Sequence, residues 1–129
     1  MTIASNLTFL QDSVGNLTVT GIAKAAATQE TRVAMAANDI NLSTANYFTK
    51  TVSGATTFTV SNVPATGTVA EFILKLTNGG SAVITWFSGV KWAAGTAPTL
   101  TTAGLDNLAF YTEDGGTTWQ GFVLSKDSK

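Results

Sequence analysis

From about residue 46 to residue 126 the chain is a succession of short apolar or alternating runs, divided by Gly, Asn, Pro and Ser. The breaks recur at roughly the 8 to 12 residue spacing of β-sandwiches and barrels, and no run between them is long enough for a substantial helix. The runs are 47–52, 57–63, 69–77, 82–87, 105–112 and 118–125, with a weaker one at 90–93. An all-β domain follows.

The run at 69–77 shows the pattern most clearly. Phe72, Leu74 and Leu76 fall on one face and Glu71 and Lys75 on the other, the period-2 signature of a strand with one side in a core. Ile73 stands out as an apolar residue among the charges. The run leads through Asn78-Gly79-Gly80 into the next, and such residues supply the positive φ of tight connections, so an antiparallel hairpin is expected there. A second hairpin is expected at Asp114-Gly115-Gly116.

The segment 22–37 differs. It is alanine-rich, with Lys24, Glu30 and Arg32 as its charges, and alanine favours helix while offering little area to bury. It reads as an extended or partly helical arm; in the extended form Val33 and Met35 point one way and Arg32 and Ala34 the other. Upstream, Asn6-Leu7-Thr8-Phe9 recurs as Asn16-Leu17-Thr18-Val19, which suggests two short strands or a degenerate shaft repeat. The expected organisation is therefore an arm over 1–45, for docking and oligomerisation, and a β domain over 46–129. Val33, Met35, Ile40 and Leu42 are its candidate docking or oligomer contacts.

Residues 112 to 119, Thr-Glu-Asp-Gly-Gly-Thr-Thr-Trp, resemble the Asp-box of sialidase propellers in the spacing of Thr112, Asp114, Gly116, Thr118 and Trp119. A chain of 129 residues is too short for a propeller. Sialidases hold the substrate carboxylate with an arginine cluster, and Arg32 is this chain's one arginine. The motif is thus expected to be structural, a hairpin turn with Trp119 packed beside it.

Other chemistries fare no better. With no histidine there is no Ser-His-Asp relay, and with no cysteine there is no disulfide or thiolate metal site. The eight acidic residues include no alternating Asp-x-Asp pattern of a calcium loop. No enzymatic activity, catalytic residue, metal or cofactor is expected.

Charged residues make up 12% of the chain, about half the usual share of roughly 25%, so hydroxyls and small residues must build much of the surface. The seven basic residues are scattered singly at a net charge of -1, which argues against nucleic acid as a partner. No apolar run approaches the roughly 18 residues of a membrane span, and no export signal is recognisable. The sequons at Asn6, Asn16 and Asn41 are read as incidental. Aromatic residues gather in the second half; Trp86, Trp92 and Tyr111 are candidate surface aromatics for a sugar, and the adjacent Trp86 and Phe87 are expected on opposite faces of a regular strand.

The stretch Asn46-Tyr-Phe-Thr-Lys-Thr-Val-Ser-Gly-Ala-Thr-Thr-Phe-Thr-Val-Ser-Asn-Val-Pro, continuing to Phe-Ile-Leu-Lys-Leu-Thr-Asn-Gly-Gly and ending Asp-Gly-Gly-Thr-Thr-Trp-Gln-Gly-Phe-Val-Leu, resembles a domain of tailed-bacteriophage virion proteins. The resemblance covers about residues 39 to 127. It implies a small antiparallel, jelly-roll-like β-sandwich carried on tail fibres, head fibres or capsid decoration proteins, commonly as a homotrimer and without catalytic residues. The expectation is then a non-enzymatic structural protein on the exterior of a phage particle, present in the host cytoplasm during assembly. Its arm would attach it to the major capsid protein, another virion protein or neighbouring subunits. A short chain beginning at its own Met fits a capsid decoration or head-fibre protein. The alternative is a tail-fibre or other tail component that binds a host surface glycan.

Overall fold

The computed structural model describes residue 13 and residues 15–129. The fold is all-β. Ten strands follow in order: β1 Arg32–Ala34, β2 Asp39–Asn41, β3 Tyr47–Thr51, β4 Thr56–Thr57, β5 Thr59–Ser61, β6 Ala70–Thr77, β7 Ile84–Thr85, β8 Val90–Lys91, β9 Leu105–Thr112 and β10 Trp119–Ser128. They form a six-stranded sheet in the order β1-β3-β6-β9-β10-β8 and two two-stranded sheets, β2-β5 and β4-β7.

The pairing departs from the antiparallel expectation. β1/β3, β3/β6, β2/β5, β4/β7 and β8/β10 are parallel, and β6/β9 and β9/β10 are antiparallel. Parallel neighbours need a long connection, and here the connection is a circuit around the core. The chain lays down β1, crosses to β2 and returns as β3 beside β1. It then crosses through β4 and β5, with β5 beside β2, and returns as β6 beside β3 before crossing once more to β7 beside β4.

The circuits stack their apolar residues in register. Val33, Phe48 and Leu74 form one row, and Ile40 pairs with Val60 in another. Phe48, Leu74 and Ile40 are buried, while Val33 and Val60 are half-buried against them. Full burial of each such side chain contributes on the order of 1.5–3 kcal/mol. Phe72 sits among four rings, with centroids 6.0 Å from Phe48, 5.1 Å from Phe110, 6.0 Å from Phe87 and 5.5 Å from Trp119.

Lys50 fastens the first circuit to the second. Its Nζ donates to the carbonyls of Met35 at 3.4 Å, Ala36 at 3.0 Å and Ala37 at 3.2 Å, at the bend between β1 and β2. On the outside of β2 and β5 runs a polar ladder: Thr59 Oγ1 donates to the Asp39 carboxylate at 2.7 Å, and Asn62 Nδ2 donates to Asn41 Oδ1 at 2.7 Å.

The connection at Asn78-Gly79-Gly80 is not a hairpin. Asn78 takes a left-handed conformation, φ 58°, and residues Gly79–Ser81 form a 3-10 turn that sends the chain across to β7. Gly80 N donates to Thr101 O at 2.9 Å, and a Cβ on Gly80 would fall on the Leu100 carbonyl. Glycine is required there by close backbone approach.

Strand pairing crosses the 45/46 division. β1 and β2 pair with β3 and β5, so the β body begins at Arg32. The extended alternative holds for this part of 22–37: Val33 and Met35 pack on the core, and Arg32 and Ala34 are exposed. Every described residue before Val33 is exposed, and Leu17 makes a single β-bridge. The first copy of the Asn-Leu-Thr repeat lies outside the described residues.

Candidate functional site

The outer face of the six-stranded sheet carries the feature that burial in this chain alone does not explain. Tyr47, Ile73, Ala109 and Phe122 lie side by side across β3, β6, β9 and β10, one row of the side facing away from the core. In the next row Tyr111 stands between Glu71 and Gln120. The Tyr111 and Phe122 rings stack with centroids 5.9 Å apart and planes 15° apart.

A register shift follows Val123 in β10, and the apolar run Phe122, Val123, Leu124 is exposed at 47%, 41% and 55%. Val123 pairs in register with the buried Leu108 and so faces the inner side; it stays exposed there because β8 pairs with β10 only at Trp119 and Gln120, and the irregularity comes after it. A sheet with one face on the core ordinarily shows polar residues on the other. Here the centre is apolar and forms a shallow groove of about 280 Å³, with Ile73, Ala109, Tyr111 and Leu124 on its walls and Glu30 and Glu71 at its rim. No lysine or arginine lines it.

The Asp-box-like turn is a hydrogen-bonded brace. Asp114 Oδ1 accepts from Thr112 Oγ1 at 2.9 Å and from the Thr118 amide at 2.9 Å, while Thr112 Oγ1 accepts from the Gly116 amide at 3.1 Å. Gly115 and Gly116 take φ 72° and 85°, and Trp119 is buried beside the turn. The Thr118 amide, foremost, holds the Asp114 carboxyl below its ordinary pKa. The turn joins β9 to β10 as an antiparallel hairpin, as its glycines led one to expect.

Asp106 is fully buried, yet each of its oxygens is occupied. Thr101 N and Oγ1 donate to it at 2.6 and 2.7 Å and Asp127 N at 3.1 Å. Burial pushes its carboxyl up, but these hydrogen bonds, with the charge of Lys126, outweigh it and hold the pKa below the ordinary value. The carboxylate ties the 96–104 loop and the end of β10 to β9. It is fully buried in the described fold, away from any surface groove.

The candidate surface aromatics separate. Trp86 stacks on Phe58 at 5.7 Å and touches Phe110 at 5.6 Å, and Trp92 packs on Phe110 at 5.4 Å with its ring against Gly121. Both belong to the inner side of the sheet, whereas Tyr111 is on the outer side, so the three do not form one surface. Trp86 and Phe87 do not diverge, because β7 ends at Thr85 and both rings turn to Phe110.

The candidate docking contacts are interior. Ile40 is buried, and Val33, Met35 and Leu42 are half-buried against the same core. Ile73, Phe122 and Leu124, which do line the outer face, carried two signals in the sequence: an isoleucine among charges, and three consecutive apolar residues that break the alternation.

Among the described residues no group of three Asp or Glu side chains is placed to hold a metal ion, and no helix is long and apolar enough to cross a membrane. Comparison with protein-family models, curated proteins and solved structures finds no match to the chain.

Proposed function

We propose that the protein is a non-enzymatic structural component on the exterior of a tailed-phage virion, a capsid decoration or head-fibre protein. Its β body faces outward, and the segment before Arg32 serves as the arm that attaches it to the major capsid protein or to neighbouring subunits. The observation that carries this reading is the exposure of the described residues of that segment. Ile22 is 96% exposed, and Leu17 and Val19 are about half exposed, on a stretch too poor in large side chains to make a core of its own. Such a segment gains stability by lying on another surface.

Two further features support it. The resemblance over residues 39 to 127 is to virion domains without catalytic residues, and with charged residues making up 12% of the chain the exterior is poor in charge. Homotrimeric assembly is part of the proposal.

Immunogold labelling of intact particles with an antibody against residues 46–129 tests it. Gold over the head supports the decoration or head-fibre role. Gold at the tail end favours a tail component that binds a host surface glycan, for which the exposed, stacked Tyr111 and Phe122 rings are the pertinent observation. Particles without gold overturn the virion reading. Ile22→Asp is expected to release the protein from particles while leaving the β body folded.

A further inference from the structure

We infer that the aromatic groove on the outer face of the six-stranded sheet receives residues 17–24 of a second copy of this chain. The inference rests on the reading of the protein as an oligomeric structural component, and it names the two surfaces that meet.

Each half is exposed in the single chain. The groove offers Ile73, Tyr111, Phe122 and Leu124 across three adjoining strands, with Phe122 and Leu124 about half exposed. The segment offers Leu17, Val19 and Ile22 at 53%, 50% and 96% exposure. Apolar area of this kind on both parts is what association removes from water.

Charge selects the partner. Glu30 and Glu71 stand at the rim of the groove with no lysine or arginine among its lining residues. Residues 17–24 carry one charge, Lys24, and it is positive. A Lys24 ammonium near that rim meets two carboxylates, and the contact weakens with salt. An anionic partner would meet repulsion at the same place.

Because every copy holds both a groove and a segment, copies can join head-to-tail, each segment in the groove of the next. Such a contact generates a closed ring when the rotation between copies closes, which is the symmetry of a trimer. The groove and the segment are different patches, so the contact leaves one of each free until the ring closes.

The absence of cysteine makes the test clean. Ile22→Cys and Phe122→Cys are made in separate full-length chains, one with a tag that changes its size. After mixing and mild oxidation, the expected product is a disulfide-linked pair containing one chain of each kind, well above the yield of either like pair. Glu71→Lys in the Phe122→Cys chain should lower that yield several-fold, and adding Lys24→Glu to the Ile22→Cys chain should restore it. Circular dichroism verifies that each variant keeps its strands. A mixed pair no more abundant than the like pairs, or a charge exchange that fails to restore it, overturns the inference. So does a single chain carrying both cysteines that closes on itself and runs as a monomer. Purified protein suffices here, so this test and the particle labelling fail independently.

Discussion

Phe48 of β3 lies beside Leu74 of β6 in parallel register, and both are buried. The two residues stand on successive circuits of the chain, so the contact reports the winding of the fold rather than a local turn. Val33 extends the row to the first circuit.

Phe48→Ala removes the middle of that row and a ring edge-on to Phe72. The cavity would be enclosed by three circuits, and its cost is about 3–5 kcal/mol. Urea unfolding followed by tryptophan fluorescence reads this as a lower midpoint with the slope unchanged.

Gly80→Ala places a methyl group on the Leu100 carbonyl. The loop and the corner before β7 must move apart, costing roughly 1–3 kcal/mol. Gly54→Ala, where a Cβ meets nothing within 4 Å, is the control and should leave the midpoint nearly unchanged.

Asp106 gives the fold a pH dependence of definite sign. Its folded pKa lies below the ordinary value of 3.8, so its contribution is present above that pH and is lost as pH falls through the lower folded value. Asp106→Ala leaves the Thr101 and Asp127 donors without their acceptor, at a cost of roughly 2–3 kcal/mol at pH 7. The gap between wild type and variant should narrow as denaturation is repeated toward pH 3.

Asp114→Ala removes the acceptor of the Thr118 amide and leaves the β9–β10 register in place. Hydrogen exchange by NMR should show faster exchange at Thr118, while Phe110 and Gly121 within the hairpin keep their protection.

How much of this was legible in the residues depends on the length of each element. The run at 69–77 agrees within one residue with its strand, Ala70–Thr77, because Phe72, Leu74 and Leu76 on one face and Glu71 and Lys75 on the other state both period and face. The glycines at 115 and 116 likewise declared their turn. Parallel winding was hidden, because it is set by pairing between strands of two to five residues on separate circuits, such as β4 with β7. Alternation identifies a strand and is silent on its neighbour.

The candidate site was legible only in part. Val33 and Met35 showed which way they point but not that a core lies there, since that core is made by Phe48 and Leu74 of later circuits. Trp86 and Trp92 suit a sugar surface by type, but their placement is decided by Phe58, Phe110 and the bare backbone of Gly121. Tyr111 kept its exposure because its neighbours across the strands are Glu71 and Gln120.

The proposed virion role requires the β body to be a built-in part of a particle. Peptide mass spectrometry of particles purified from a culture producing the protein, washed in high salt, measures this directly. The chain is expected at a fixed ratio to the main particle protein through successive purification steps. A ratio that falls toward zero with washing, with the chain recovered in the soluble fraction, would contradict it.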